Sequence, residues 1–203
     1  MNPRYMTIEE VEKELGYPVR IFKKRDVIFD QVPVGGVFSV LETEFIKMHH
    51  GFAVTKNIID EAPFSTTTSN YKDSEIINSV RLNSFIAELT RSSRNIHQVL
   101  EKFNVSLASD NGVLEYGEEI DTFVSLMTLS QLQQNSKFLL PYEVNAWWLV
   151  TPHGTVNTGV SNRVCYISRM GMLENAGIQE RLGIRPVVKF KNSASVTYYD
   201  NMG

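Results

Sequence analysis

The chain has 203 residues, enough for one large domain or for one domain with a small appendage. Its hydrophobic content of 42% is ordinary for a globular protein and permits a sizeable core. The formal net charge of −3 argues against a general phosphate-binding surface, so we expect no nucleic-acid partner. No apolar stretch approaches the ~18 residues of a membrane span, and the N-terminus lacks the layout of a signal peptide. We therefore expect no membrane association and no signal-directed secretion.

The only cysteine, Cys165, excludes a disulfide within one chain. The pattern around it, Val164-Cys165-Tyr166-Ile167, favours a small buried hydrophobic residue. A nucleophilic cysteine needs a base or a cationic setting, and the sequence shows none nearby. The chain is expected to be made and folded in the host cytoplasm, which is a reducing compartment.

The first 25 residues differ in pattern from the rest of the chain. Residues 7–15 predict a short helix, in which Thr7 and Glu10 form a capping box. Val19–Phe22 then predicts a strand. We interpret residues 1–25 as a small N-terminal helix-strand appendage.

From residue 26 onward, short apolar runs separated by turns predict an antiparallel meander. The runs are Val27–Phe29, Val37–Leu41, Phe45–Met48 and Phe52–Val54. His49 and His50 lie at one of the turns. Because adjacent side chains on a strand point to opposite faces, the pair makes a poor chelate, and we predict no metal site there.

Residues 57–72 are polar and irregular, which predicts a mobile surface loop. A helix capped near Asp73 or Ser74 is expected to come next. Its predicted buried face comprises Ile76, Ile77, Val80, Phe85, Ile86 and Leu89. A second short helix is predicted from Ile96, Val99, Leu100 and Phe103.

The loop Ser109-Asp110-Asn111-Gly112 is superficially similar to a calcium-binding loop. It lacks the alternating carboxylates and the closing glutamate at the required spacing, so we predict no calcium site. After it, Phe123–Met127 predicts a strand, and Thr128 is expected to cap a short helix through Leu132.

The C-terminal part predicts strands at Ala146–Pro152, Val164–Ser168 and Ile184–Phe190. Residues 153–162 form a polar loop between the first two, and residues 174–182 predict a loop or a single helical turn. Residues 191–203 are expected to be an edge strand or a tail that docks on a partner.

Two of these strands carry the residues that we predict to form the structural core. Trp147 and Trp148 are adjacent, so one indole faces the core and the other faces outward or a covering loop. Core packing is favoured for Trp148 over a role as a stacking platform. Arg185 is followed by Pro186 in an apolar run, and a buried guanidinium must be paired or bonded to carbonyls. We interpret Arg185 as a structural clamp, with an anion site as the alternative.

The same segments carry a resemblance. Trp147–Pro152, Cys165-Tyr166-Ile167 and Gly183–Val187 resemble an uncharacterised domain family of Gram-positive bacteria and their phages, whose members show Trp-Trp-Leu-Arg-Ser-Pro followed by Gly-Val-Arg-Pro. Val150 stands where the family has arginine, which weakens an anion-binding role for that position. The resemblance implies an α+β, C-type-lectin-like or sulfatase-modifying-factor-like domain over residues 26–190. That fold has twisted antiparallel sheets, two main helices and long loops.

The resemblance transfers no activity, so the function is predicted as a class. We expect a non-catalytic binding or assembly module, encoded by a phage as a virion accessory protein such as a tail, baseplate or decoration subunit. It would be made in the host cytoplasm and then enter the virion. The alternatives are an intracellular phage inhibitor that binds a host defence enzyme and a degenerate formylglycine-generating-type enzyme.

The polar loop suits adaptable recognition, and its candidate ligand-binding residues are His153, Asn157, Thr158 and Asn162. The expected partners are another protein, further copies of the chain or a cell-surface glycan. The sequence predicts no catalytic residue, no metal ligand and no cofactor.

Overall fold

The structure is a computed structural model that describes Glu10, Lys13, Glu14, Gly16 and residues 22–77, 79–90, 96–114, 116–140, 145–154 and 162–201. The predicted α+β class is confirmed, because the strands form largely antiparallel sheets and three α-helices lie within residues 80–139. The helices are α1 (Val80–Thr90), α2 (Ile96–Val99) and α3 (Leu129–Leu139). None of these helices is long and apolar enough to cross a membrane.

Strands are numbered along the described part of the chain. They are β1 (Phe22–Ile28), β2 (Val37–Val40), β3 (Thr43–Lys47), β4 (Phe52–Thr55), β5 (Asp60–Pro63), β6 (Leu100–Glu101), β7 (Phe103–Ser106), β8 (Glu119–Thr122), β9 (Val124–Ser125), β10 (Trp147–Pro152), β11 (Arg163–Ile167), β12 (Leu173–Gly177), β13 (Arg181–Ile184), β14 (Val187–Phe190) and β15 (Ser195–Asn201).

The strands form two sheets and a hairpin. The larger sheet has the order β1-β15-β2-β3-β4-β14-β6, with β9 also paired to β14. The smaller sheet has the order β12-β11-β10-β13-β5, and β7 pairs with β8. Neighbouring strands run antiparallel except β10 and β13, which run parallel where Trp147 lies beside Gly183.

The first run of the predicted meander, Val27–Phe29, lies outside it, because Val27 and Ile28 belong to β1, which pairs with β15 and not with β2. The other three runs are confirmed as the meander β2, β3 and β4, with Phe38 opposite Phe45 and Ile46 opposite Val54. Its inward face carries an aromatic cluster. Phe38 lies 5.4 Å from Phe45 and 5.4 Å from Phe190 between ring centroids. Centroid distances in this range are typical of favourable aromatic pairs, so β14 is held against the meander by ring packing as well as by backbone hydrogen bonds.

Both ends of the chain differ from the prediction. Of the strand expected at Val19–Phe22, residues 19–21 lie outside the described residues, and the described strand β1 runs from Phe22 to Ile28, across the expected boundary at residue 25. The segment expected as an edge strand or docking tail is β15, which pairs with β1 on one side and with β2 on the other. The strand β15 is therefore an interior strand of the sheet, with hydrogen-bonded neighbours on both sides, and its residue Val196 is buried. The helix predicted over residues 7–15 lies largely outside the described residues.

The prediction of a surface loop over residues 57–72 is wrong for much of its length. The segment contains β5, and Phe64 and Tyr71 are fully buried. Its polar residues can be buried because they satisfy the local backbone. Ser65 Oγ accepts a hydrogen bond from Thr67 N–H at 3.2 Å, and Asn70 Oδ1 accepts one from Lys72 N–H at 3.1 Å.

The helix boundaries also differ from the prediction. The first helix begins at Val80 with Ser79 Oγ accepting from Leu82 N–H at 3.2 Å, so the cap is Ser79 and not Asp73 or Ser74. Thr128 caps α3 as predicted, but α3 continues to Leu139. The predicted second helix ends at Val99, because Leu100 and Phe103 belong to strands.

Residues 174–182 form most of β12 and the start of β13, so the loop or helical turn predicted there is wrong. The predicted strand Ile184–Phe190 is broken at Arg185-Pro186 into β13 and β14, which belong to different sheets. The break is where the chain crosses from the smaller sheet to the larger one.

Gly183 explains how β13 approaches the tryptophan strand so closely. Its N–H donates to Ala146 O at 2.8 Å. A Cβ at this position would lie 2.9 Å from the same carbonyl oxygen and 2.4 Å from Ile58 Cδ1. Any side chain would therefore separate the parallel pair.

Arg185 is fully buried at the crossover. Its Nε and Nη2 donate to Thr55 O at 3.0 and 2.9 Å, and Nη2 also contacts Lys56 O at 3.3 Å. The guanidinium carbon lies 4.8 Å from the centroid of the Trp147 ring. These contacts match a clamp that joins β4 of the larger sheet to β10 of the smaller sheet.

We expect Arg185→Ala to lower the free energy of unfolding by about 3–5 kcal/mol, because it leaves buried carbonyls without their donor and opens a cavity. Arg25→Ala is the control, since Arg25 is exposed and contacts only surface groups that the structure describes, namely Asp200 in an ion pair and the ring of Tyr198. Its loss should cost less than about 1 kcal/mol. Urea unfolding measures both variants. If the two variants lost the same free energy of unfolding, the role of Arg185 as a clamp between the sheets would be contradicted.

A second stability prediction concerns Glu75. Hydrogen bonds from the Ser65 hydroxyl and from Thr66 lower the pKa of Glu75 to about 2. A carboxylate whose pKa is depressed by folding stabilises above its ordinary value of 4.5, and that contribution is lost as pH falls toward 2. The urea midpoint of Glu75→Gln should therefore lie below that of the unmodified chain at pH 7, and the gap should close below pH 4.5. Glu88→Gln, an exposed change on α1, is the control, and its urea midpoint at pH 7 should lie close to that of the unmodified chain.

Candidate functional site

The β10–β11 hairpin places two reactive side chains close together. Pro152 lies opposite Val164, and the N–H of His153 donates to Arg163 O at 3.0 Å. Arg163 is therefore the residue of β11 opposite His153. Cys165 lies two residues further along β11, so its side chain is on the same face as those of Arg163 and His153. The end of the tryptophan strand therefore brings a histidine beside the only cysteine.

Asp110 reaches the same place from the loop between β7 and β8. That loop closes on itself through hydrogen bonds from Ser109 N–H to Val113 O at 3.0 Å and from Gly112 N–H to Ser109 O at 2.9 Å. The N–H of Asp110 donates to Pro152 O at 3.0 Å. The backbone of β10 therefore holds the loop in place.

Asp110, His153 and Cys165 make one cluster, which we call the Asp-His-Cys site. Asp110 Oδ2 accepts a hydrogen bond from His153 Nδ1 and lies 3.9 Å from Cys165 Sγ. Asp110 Oδ1 accepts from Gly154 N–H at 3.0 Å. One potential ligand atom from each of the three side chains lies within 4.8 Å of the other two.

The electrostatics of the site depend on partial burial. Burial by itself raises the pKa of Asp110, but the hydrogen bonds from Gly154 and His153 outweigh it, and the pKa lies below its ordinary value. Burial, together with the negative charge of Asp110, raises the pKa of the Cys165 thiol to about 12. At neutral pH the site therefore holds a carboxylate beside a protonated thiol, which is a weak nucleophile.

The four predicted ligand-binding residues do not form one site in the described residues. His153 belongs to the Asp-His-Cys site. Asn162 has a positive φ of 74° and lines a separate concavity of about 360 Å³ with Thr66 and Gln179. Asn157 and Thr158 lie outside the described residues.

The predicted core residues lie in one place. Trp147 and Trp148 are 1% and 0% exposed, and Arg185 lies against Trp147. Both indoles are buried, so neither faces outward. Trp148 Nε1 donates to Ala62 O of β5 at 2.9 Å, and its ring packs on Phe64 with the centroids 5.7 Å apart. Pro186 comes directly after the clamp, and its carbonyl accepts from Thr55 N–H at 3.0 Å.

Sequence reasoning missed Asp110 and Cys165 as partners of His153. It judged Asp110 against a calcium loop and Cys165 as an isolated residue. The hairpin from β10 to β11 was a usable signal for the His153–Cys165 pair, because antiparallel pairing makes residues on either side of a loop neighbours. Asp110 and His153 are separated by 43 positions in the sequence, so no local pattern indicated that the carboxylate lies beside the histidine.

Comparison of the chain with models of protein families, with curated proteins and with solved structures finds no match. Function is therefore argued from the side chains and their contacts.

We expect Asp110→Ala to lower the free energy of unfolding by about 1–3 kcal/mol, because it removes the acceptor of Gly154 N–H and of His153. Asp121→Ala is the matched control, since Asp121 forms an exposed ion pair with Lys102 at 3.0 Å and its loss should cost less than about 1 kcal/mol. Thermal and urea unfolding measure both. If the two variants lose the same stability, the carboxylate does not hold this part of the hairpin.

Proposed function

We propose that the protein is a non-catalytic binding and assembly module of C-type-lectin-like architecture that works as multiple copies, as an accessory subunit of a phage particle. The features that support the architecture are two antiparallel sheets, the long helices α1 and α3, and a late strand, β14, that returns to the core. The phage setting is supported by the resemblance of the tryptophan and arginine segments.

The observation that carries the assembly role is an exposed apolar surface, which we call the hairpin-tip cluster. It comprises Leu140, Met170, Met172 and Leu173, with 39%, 83%, 53% and 48% of their surfaces exposed. Leu140 lies beside the turn, since its Cδ2 is 3.8 Å from the point where a Cβ on Gly171 would stand. Large apolar side chains exposed together mark interaction surfaces, and methionine adapts readily to a partner.

The hairpin-tip cluster leads directly into an edge of the smaller sheet. Leu173 begins β12, which has β11 on one side and ends the strand order on the other. An edge strand offers backbone hydrogen-bonding groups to another strand. Antiparallel pairing of β12 with β12 of a second copy near Leu173 would continue the sheet and bring the two clusters together. This is a self-complementary, two-fold contact.

Cys165 supports a non-catalytic role. Formylglycine-type chemistry needs reactive sulfur, whereas burial and Asp110 raise the pKa of this thiol to about 12.

We expect the purified chain to form a defined multimer in sedimentation velocity experiments. Met170→Ser combined with Met172→Ser should weaken self-association at least tenfold, which corresponds to about 1.4 kcal/mol. The control is Val113→Ser combined with Leu114→Ser, because these residues are 43% and 51% exposed but lie on another loop. The control should sediment like the unmodified chain.

An unmodified chain that stays monomeric at the highest soluble concentration would contradict the proposal. So would a multimer that both double variants weaken equally. Circular dichroism of each variant establishes that the comparison is between folded proteins.

A further inference from the structure

We propose that the Asp-His-Cys site binds one zinc ion through Asp110, His153 and Cys165, with the fourth coordination position open to water or to an exogenous ligand. This site goes beyond the assembly role, because it does not involve the hairpin-tip cluster. It also revises the prediction that the chain has no metal ligand.

The donor set selects the metal. A carboxylate oxygen, an imidazole nitrogen and a thiolate sulfur are the three ligand types that zinc accepts in proteins. Calcium and magnesium prefer all-oxygen sites, so the histidine and cysteine argue against them. Three protein ligands with one open position is also the arrangement of zinc sites that bind a further molecule.

The distances require only small movements. Ligand atoms around a tetrahedral zinc lie roughly 3.3–3.8 Å apart, given bond lengths of about 2.0–2.3 Å. Cys165 Sγ is already 3.9 Å from Asp110 Oδ2, and the three donor atoms lie within 4.8 Å of one another. His153 Nδ1 is in hydrogen-bond contact with Asp110, so the ring must withdraw slightly as the ion enters.

Backbone contacts hold the ligands in position before the ion binds. The loop of Asp110 is fixed by its N–H bond to Pro152 O and by the bond from Gly154 N–H to Oδ1. His153 is fixed by its bond to Arg163 O, and Cys165 is paired with Asn175 of β12. Second contacts of this kind orient metal ligands and strengthen binding.

The site is also reachable. The side chains of His153 and Asp110 are 32% and 22% exposed, whereas Cys165 is 2% exposed. An ion can therefore enter from the histidine side and meet the sulfur at the bottom of the site. A concavity of about 240 Å³, lined by Asp110, Thr128 and Thr151, adjoins the carboxylate and offers room for an exogenous ligand.

The proton balance is simple. A carboxylate only accepts hydrogen bonds, so His153 Nδ1 carries the proton in the metal-free site. On binding, the Sγ–H bond is replaced by a sulfur–zinc bond and that proton goes to solvent. The neutral imidazole exchanges its proton from Nδ1 to Nε2 through solvent, so Nδ1 can bind zinc and the ring releases no net proton. Binding therefore releases one proton in total, from Cys165. No group is oxidised or reduced.

The experiment is titration of the purified full chain with zinc chloride by calorimetry, together with cobalt(II) chloride followed by absorption. We expect one zinc per chain and a thiolate-to-cobalt charge-transfer band in the near ultraviolet. Cys165→Ser should abolish that band, and each of Asp110→Asn, His153→Gln and Cys165→Ser should weaken zinc binding at least roughly tenfold. At one zinc concentration, zinc should raise the unfolding midpoint of the unmodified chain more than that of any of the three variants.

The matched control is His97→Gln. His97 is another of the four histidines and packs on Phe123, away from the site. This variant should bind zinc as the unmodified chain does. The proposal is overturned if the chain shows no stoichiometric zinc binding, or if binding survives both Cys165→Ser and His153→Gln. Circular dichroism of the variants excludes unfolding as the cause of a loss.

Failure of this experiment is distinguishable from failure of the assembly proposal. The zinc site depends on side chains at the Arg163 end of β11, whereas self-association depends on the turn after Ile167 at its other end. Sedimentation of Cys165→Ser therefore reports assembly separately from metal binding.

Discussion

The fold depends on the hydrogen bonds that the buried guanidinium of Arg185 makes. Arg185 lies where the chain leaves the smaller sheet and enters the larger one. There it donates hydrogen bonds to the carbonyl oxygens of Thr55 and Lys56. Its other face lies on Trp147. An apolar residue at this point could fill the volume but could not hold the end of β4 against β10. The sheets would then share a core without a defined relative position.

The tryptophan strand extends the same constraint toward the candidate site. Every residue of β10 is buried, from the indoles to Pro152. Trp147 contacts Arg185, Trp148 donates to the carbonyl of Ala62 in β5, and the carbonyl of Pro152 accepts a hydrogen bond from the N–H of Asp110. The buried strand β10 therefore connects the crossover at Arg185 to the Asp-His-Cys site and holds the two in a fixed relative position. Donors held by a frame of this kind can meet an ion with little reorganisation.

The two proposals use opposite ends of one strand. At one end of β11, polar and ionisable groups converge from three segments of chain. At the other end, a glycine turn with φ of 74° at Gly171 presents two methionines to solvent. A binding module that assembles through one end leaves the other end accessible. The arrangement is consistent with subunits that associate edge to edge while each keeps its own metal site.

The sequence by itself determined much of the local structure. Alternation and turn residues located the meander and the tryptophan strand, Thr128 marked the start of α3, and the arginine in an apolar run pointed to a clamp. These features are local, because they depend on periodicity, capping and the cost of burying a charge. The tertiary structure decided which distant segments meet. It buried the polar segment around Phe64, placed β15 between β1 and β2, split the arginine strand between two sheets, and brought Asp110 to His153 and Cys165. Each of these outcomes depends on long-range pairing, whose partners leave no periodic signal in the chain.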